Sequence, residues 1–196
     1  MKIASAIIVL ALSIFTMSCH QKPSQQNIIE AKKNIDTVTF YPVTDFLKKQ
    51  IQTVDSTPFY IYRISIIDGK KDSVKISAKQ FDSLAHAFVV SDISDSTIKK
   101  NYKENVFEDA STKSITFNYT TKDSTMFIQS IDVLLNEDDQ RVKRIFMSTF
   151  ENKNGIDIIS KMGWKPDRNF YVNRDIHFAN GKESTEQNMI VWDNRE

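Results

Sequence analysis

From Ser114 to Trp192 apolar side chains keep a period of two, and this regularity restricts the chain to a sheet-dominated fold. Ile115, Phe117 and Tyr119 alternate with Ser114, Thr116 and Asn118. Phe127, Gln129, Ile131, Val133 and Leu135 fall on one face of the next strand. Glu137-Asp138-Asp139 reads as a polar turn, after which residues 141–150 return antiparallel. In that return strand Val142 and Phe146 are expected on one face, and Ile145 and Met147 on the other. Because Phe146 and Met147 are adjacent, this end is apolar on both sides and needs a cover. A further segment over 156–164 leads to Pro166-Asp167, and 170–178 with 183–192 form a last hairpin around Asn180-Gly181.

The part before residue 114 supplies that cover. Val43, Phe46, Leu47, Gln50, Ile51 and Val54 follow helical spacing, and all but Gln50 are apolar. Pro42 suits the first helical turn, Asp45 suits the positive end of the helix dipole, and Pro58 stops the helix. Residues 59–67 form a β-rich run, Asp68-Gly69 is a hairpin turn, and residues 73–76 return. Ser77 and Gln80 are spaced as a capping box opening a second helix, whose stripe is Phe81, Leu84, Ala85 and Phe88. A short helical piece is expected over 97–102. The fold class is α+β: a curved, mostly antiparallel meander of six to nine strands, with two amphipathic helices packed on one face. In outline such a sheet is similar to the half-open barrel of periplasmic lipoprotein carriers, an analogy of architecture that carries no function. Thirteen Phe, six Tyr and two Trp provide the bulk for a core.

The first nineteen residues say where the chain is handled. Lys2 precedes a fifteen-residue apolar run over 3–17, then Ser18-Cys19, the only cysteine. That run is shorter than the roughly 20 residues a membrane span needs, and it leads into polar residues with Pro23. A cleaved signal peptide fits this pattern. Thr16-Met17-Ser18-Cys19 resembles the lipobox of bacterial lipoproteins, with Thr16 where Leu is commonest. The resemblance covers residues 1–19. It implies diacylglyceryl attachment to the Cys19 thiol and cleavage before it. Two or three acyl chains would hold firmly where one holds marginally. It also implies a cell-envelope location. His20 in place of an acidic residue points to the outer membrane, facing the periplasm. In general character the chain resembles bacterial envelope lipoproteins of this size. The expected domains are a signal peptide over 1–18, a lipidated Cys19 with a flexible tether over 19–36, and one globular domain over 37–196. Removing residues 1–18 leaves 178 residues with no net charge, so nothing favours a nucleic-acid partner.

Chemistry-bearing patterns are scarce. His20, His86 and His177 lack zinc-helix spacing, and no second cysteine exists, so no metal or cofactor is expected. Glu137-Asp138-Asp139 lacks calcium-loop spacing. No nucleophile elbow, phosphate loop or dinucleotide fingerprint occurs, and no catalytic residue is assigned. Gly163-Trp164-Lys165-Pro166-Asp167-Arg168 is the most unusual string. Trp164 and Arg168 could form a contact surface, or Trp164 could close the core beside a Pro-Asp turn. The leading reading is a non-enzymatic binding or interaction module, held at the membrane by its lipid. Its partner would be an envelope protein, peptidoglycan or an apolar ligand. The alternative is an envelope hydrolase with a site assembled from Asp, Glu and His. It requires His86 or His177 to meet carboxylates in a pocket. The apolar-ligand version requires a cavity between sheet and helices.

Overall fold

The computed structural model of the chain describes residues 40–193. Residues 1–18, expected as a signal peptide, and Cys19 with residues 20–36, expected as a lipidated tether, lie outside the described residues. Helix α1 spans Val43–Ser56, with Pro42 before it and Asp45 in its first turn. It ends where Thr57 turns extended, the conformation that a following proline favours. Strands β1 (Tyr60–Ile67) and β2 (Lys70–Lys75) are joined by Asp68 and Gly69 at φ of 47° and 80°. Both are left-handed, as a two-residue type I′ hairpin requires. Helix α2 (Ala78–Ala85) starts on the capping box: Gln80 N donates to Ser77 Oγ at 3.3 Å, and Ser77 N donates to Gln80 Oε1 at 2.9 Å. A 3-10 turn over His86–Phe88 continues it, and another covers Lys99–Asn101. Among the described residues no helix is long and apolar enough to cross a membrane.

Seven strands follow: β3 (Tyr102–Asp109), β4 (Ser114–Thr121), β5 (Ile128–Asn136), β6 (Val142–Lys153), β7 (Ile156–Lys165), β8 (Asn169–His177) and β9 (Glu183–Asp193). Together the nine make one open sheet in the order β2-β1-β9-β8-β7-β6-β5-β4-β3. Every pairing is antiparallel. The α+β antiparallel meander is therefore present, at the upper end of the expected strand number. β3 to β9 run in chain order, and β9 then pairs with β1, setting Tyr60 opposite Asp193. The edge strand β2 carries Lys70, Lys71 and Lys75, charges that discourage pairing with another chain.

Register fixes the faces, because residues directly opposite one another share a side. One row runs Phe117, Val133, Ile145, Trp164, Phe170, Ile190 across β4 to β9. A parallel row runs Tyr119, Ile131, Met147, Met162, Val172. Nearly every member is buried, and this side is here called the first face. Phe81 of α2 lies 5.6 Å from Phe170 and 5.3 Å from Trp192, centroid to centroid. Phe88 lies 5.3 Å from Trp164, which stacks on Phe170 at 5.1 Å. Ahead of α1, Phe40 lies 4.7 Å from the Tyr119 ring, and Tyr41 N donates to Tyr119 Oη at 2.8 Å. Burial raises the Tyr119 hydroxyl far above the ordinary tyrosine range.

Two irregularities overturn simple alternation. The β5–β6 pairing shifts between Leu134 and Leu135, so Leu134 faces Arg144 and Leu135 faces Val142. Lys143 is the extra residue of a β-bulge. Val142 consequently sits with Ile145 against the core, not with Phe146 as expected. A second shift, between Ile128 and Ser130, makes Gln129 the extra residue. Ile128, buried against Thr149, ends the apolar row in place of Phe127 and Gln129.

Candidate functional site

The second face of the sheet carries the side chains between those core rows. Phe146 and Tyr171 are half-buried there, and Met189 is exposed. Buried polar residues at one end, Ser114 and Thr116, mark a groove of about 780 Å³. Its apolar wall is Phe107 of β3, Leu134 of β5 and Phe146 of β6. Lys143 and Arg144 of β6 and Lys165 at the end of β7 supply its positive charge. The Arg144 guanidinium lies 5.7 Å from the centre of the Phe146 ring, the arrangement of residues two apart on one strand face.

The charges around the groove are unevenly compensated. Asp109 accepts from Ser111 Oγ at 2.6 Å and from Thr112 Oγ1 at 2.8 Å. Those bonds, Ser111 first, hold its carboxyl down at about 2. Asp132 accepts from Asn118 Nδ2 at 2.6 Å, and Asn105 Nδ2 donates to Asn118 Oδ1 at 3.2 Å, a polar ladder over three strands. Lys143 Nζ donates to the Thr112 carbonyl at 2.8 Å. Its position in the bulge lets it reach the β3–β4 turn. None of the three cations forms an ion pair among the described residues.

Two smaller grooves lie elsewhere. One, of about 510 Å³, opens between the helices and is lined by Asp45, Lys48, Asp55 and Asp82. Asp55 is raised there, first by burial and then by the Asp82 charge. The other, about 320 Å³, runs along the first face past Phe127 and Thr149 to Arg174, whose Nη1 lies 3.3 Å from Glu186 Oε2.

The residues singled out from sequence are not brought together. Trp164 is 0% exposed inside the aromatic cluster, and its Nε1 has no hydrogen-bond partner there. It closes the core, while Arg168 is exposed in the turn to β8, so the two do not share a surface. His86 is exposed at the end of α2. His177 Nδ1 lies 3.2 Å from Glu183 Oε1 at the mouth of the last hairpin, with 73% of the Glu183 side chain in solvent. Among the described residues no group of His, Cys, Asp and Glu could hold a metal ion. Rings of Phe81, Phe88, Trp164 and Phe170 occupy the space where a ligand between α2 and the sheet would lie. Cys19 lies outside the described residues. The groove cations Lys143 and Arg144 read in sequence only as charge near a turn. The one local signal was a basic residue two positions before an aromatic in a strand, Arg144 and Phe146.

Comparison with protein families, with curated proteins and with solved structures finds no match to this chain.

Proposed function

We propose that this protein is a lipid-anchored binding module of the cell envelope, without catalytic activity of its own. Both helices cover the first face of a curved sheet, and the second face is the contact surface. One observation carries this reading: the buried apolar strand residues belong to the first face, while the second keeps Phe146, Tyr171 and Met189 at least partly in solvent. Half-exposed aromatics and a methionine beside an arginine are the residue types enriched where surfaces meet partners. The anchor rests on the lipobox-like residues 16–19. Acylated Cys19 would hold the domain at the outer membrane on its periplasmic side, with residues 20–36 as a tether.

Intact mass and membrane fractionation of the wild type and Cys19→Ala test the anchor. The wild type is expected to be acylated and membrane-bound, and the variant soluble. A wild type recovered in the soluble fraction with a free thiol refutes the tether. A photo-crosslinking residue at Met189 tests the face. It is expected to capture an envelope component that the same residue at Lys71, on the β2 edge, does not. Equal capture from both positions removes the assignment of the second face.

A further inference from the structure

We infer that the second-face groove is a binding site for a small ligand with one anionic group, a carboxylate or a phosphate, on an apolar body. This deepens the proposed binding role by naming what the surface takes. Ile145 is paired with Trp164, so Arg144 and Lys165 are the next residues outward on neighbouring antiparallel strands. By alternation both fall on the second face, where they line the groove together. Like charges directly opposite in a sheet destabilise it.

Neither cation is relieved by a carboxylate. The guanidinium of Arg144 rests on the Phe146 ring, and the Lys165 ammonium has no hydrogen-bond or ion-pair partner among the described residues. Both are half-buried, so water compensates them only in part. The two acids that line the groove are already engaged, Asp109 by its own turn and Asp132 by Asn118. Lys143, tied to the Thr112 carbonyl, adds a third positive charge at the rim. Beside this cationic end lie Phe107, half exposed, and Leu134 and Phe146. An anion placed between Arg144 and Lys165 would turn the repulsion into two charge-assisted hydrogen bonds. Its apolar part would then lie on Leu134 and Phe146, away from water.

The test is acetylation of lysines in the full chain, quantified by peptide mass spectrometry. 4-Phenylbutyrate is the carboxylate probe, phenyl phosphate the phosphate probe, and 4-phenylbutyramide the uncharged control. One or both anions should slow modification of Lys165 severalfold, and which one does so identifies the head group. Lys70 and Lys71 should be unaffected, and the amide should protect nothing. Arg144→Gln should raise the concentration needed for half protection roughly tenfold, the loss of one charge-assisted bond. A second readout needs no ligand: Arg144→Gln and Lys165→Gln should each shift the urea midpoint upward by relieving the like-charge pair. Protection by the amide equal to that by the acids overturns the anion site. So does the absence of protection by any probe, or a downward shift in both variants. Failure of the lipid anchor would leave all these outcomes unchanged, so the two readings fail separately.

Discussion

Substituting Gly163 by alanine should reveal how the second face is held together. Gly163 sits directly opposite Tyr171, and the Tyr171 ring lies across it. A Cβ at position 163 would come within 2.4 Å of Tyr171 Cε1 and 2.6 Å of Cζ. No side chain tolerates such distances, so the ring must lift off the strand. The atoms in conflict are the far end of a half-exposed side chain, which can swing into solvent, so the backbone need not move. Re-exposing about 60 Å² of ring costs about 1.5 kcal/mol. Against this, alanine in a strand interior is roughly 0.5–1 kcal/mol better than glycine through backbone entropy. The net expectation for Gly163→Ala is a destabilisation of about 0.5–1 kcal/mol. With Tyr171→Ala already in place, the same substitution should change sign and stabilise by a similar amount. Urea unfolding followed by tryptophan fluorescence reads this cycle, because Trp164 and Trp192 are both buried. A Gly163→Ala penalty equal in the two backgrounds would show that the Tyr171 ring is not what glycine accommodates.

Phe81→Ala should destabilise by about 3–5 kcal/mol, the range for deleting a large buried aromatic. Phe81 is 0% exposed and touches Trp164, Phe170 and Trp192, so near-ultraviolet circular dichroism should lose intensity with it. A loss under 1 kcal/mol would mean that α2 does not hold the aromatic cluster. Alkaline stability should follow the buried tyrosines. Tyr119, Tyr102 and Tyr41 are all raised by burial in the folded chain, and Tyr102 also by the Asp123 charge. Above the ordinary tyrosine value of about 10, the unfolded chain releases protons that the folded chain keeps, so stability must fall as pH rises. Tyr119→Phe should be less stable at neutral pH, having lost the bond from Tyr41 N, yet decline less steeply between pH 10 and 12. A parallel decline in both proteins would contradict the assignment.

What could be read from the sequence was local. Asp68-Gly69 announced its hairpin because both residues accept positive φ. Ser77 and Gln80 announced the start of α2, because the capping box depends only on residues three apart. The turn containing Asn180 and Gly181, and the stop at Pro58, were legible for similar reasons. The side to which Val142 points was not. It depends on a shift in pairing between Leu134 and Leu135, and strict alternation gives the opposite answer. Nor was the groove legible. Arg144 and Lys165 are twenty-one positions apart and become neighbours only through the register of β6 on β7. The burial of Ser114 and Thr116 depends likewise on what three adjacent strands place around them. Trp164 looked distinctive because of its neighbours in the chain, whereas its surroundings in space are the rings of two helical turns and two other strands.

The position of β9 has a consequence for how the molecule is made. The hairpin formed by the first two strands has nothing to dock on until the ninth has been synthesised, because β9 alone bridges it to β8. More than a hundred residues must emerge before Tyr60 meets Asp193. Such distant closure makes assembly slow, because the loop entropy is spent before the contact rewards it. Until then the meander has an open flank, β8, with unpaired amides and carbonyls and apolar side chains beside them. A chain interrupted before β9 is complete would therefore expose an adhesive strand edge, so synthesis of that strand is itself part of keeping this protein from aggregating.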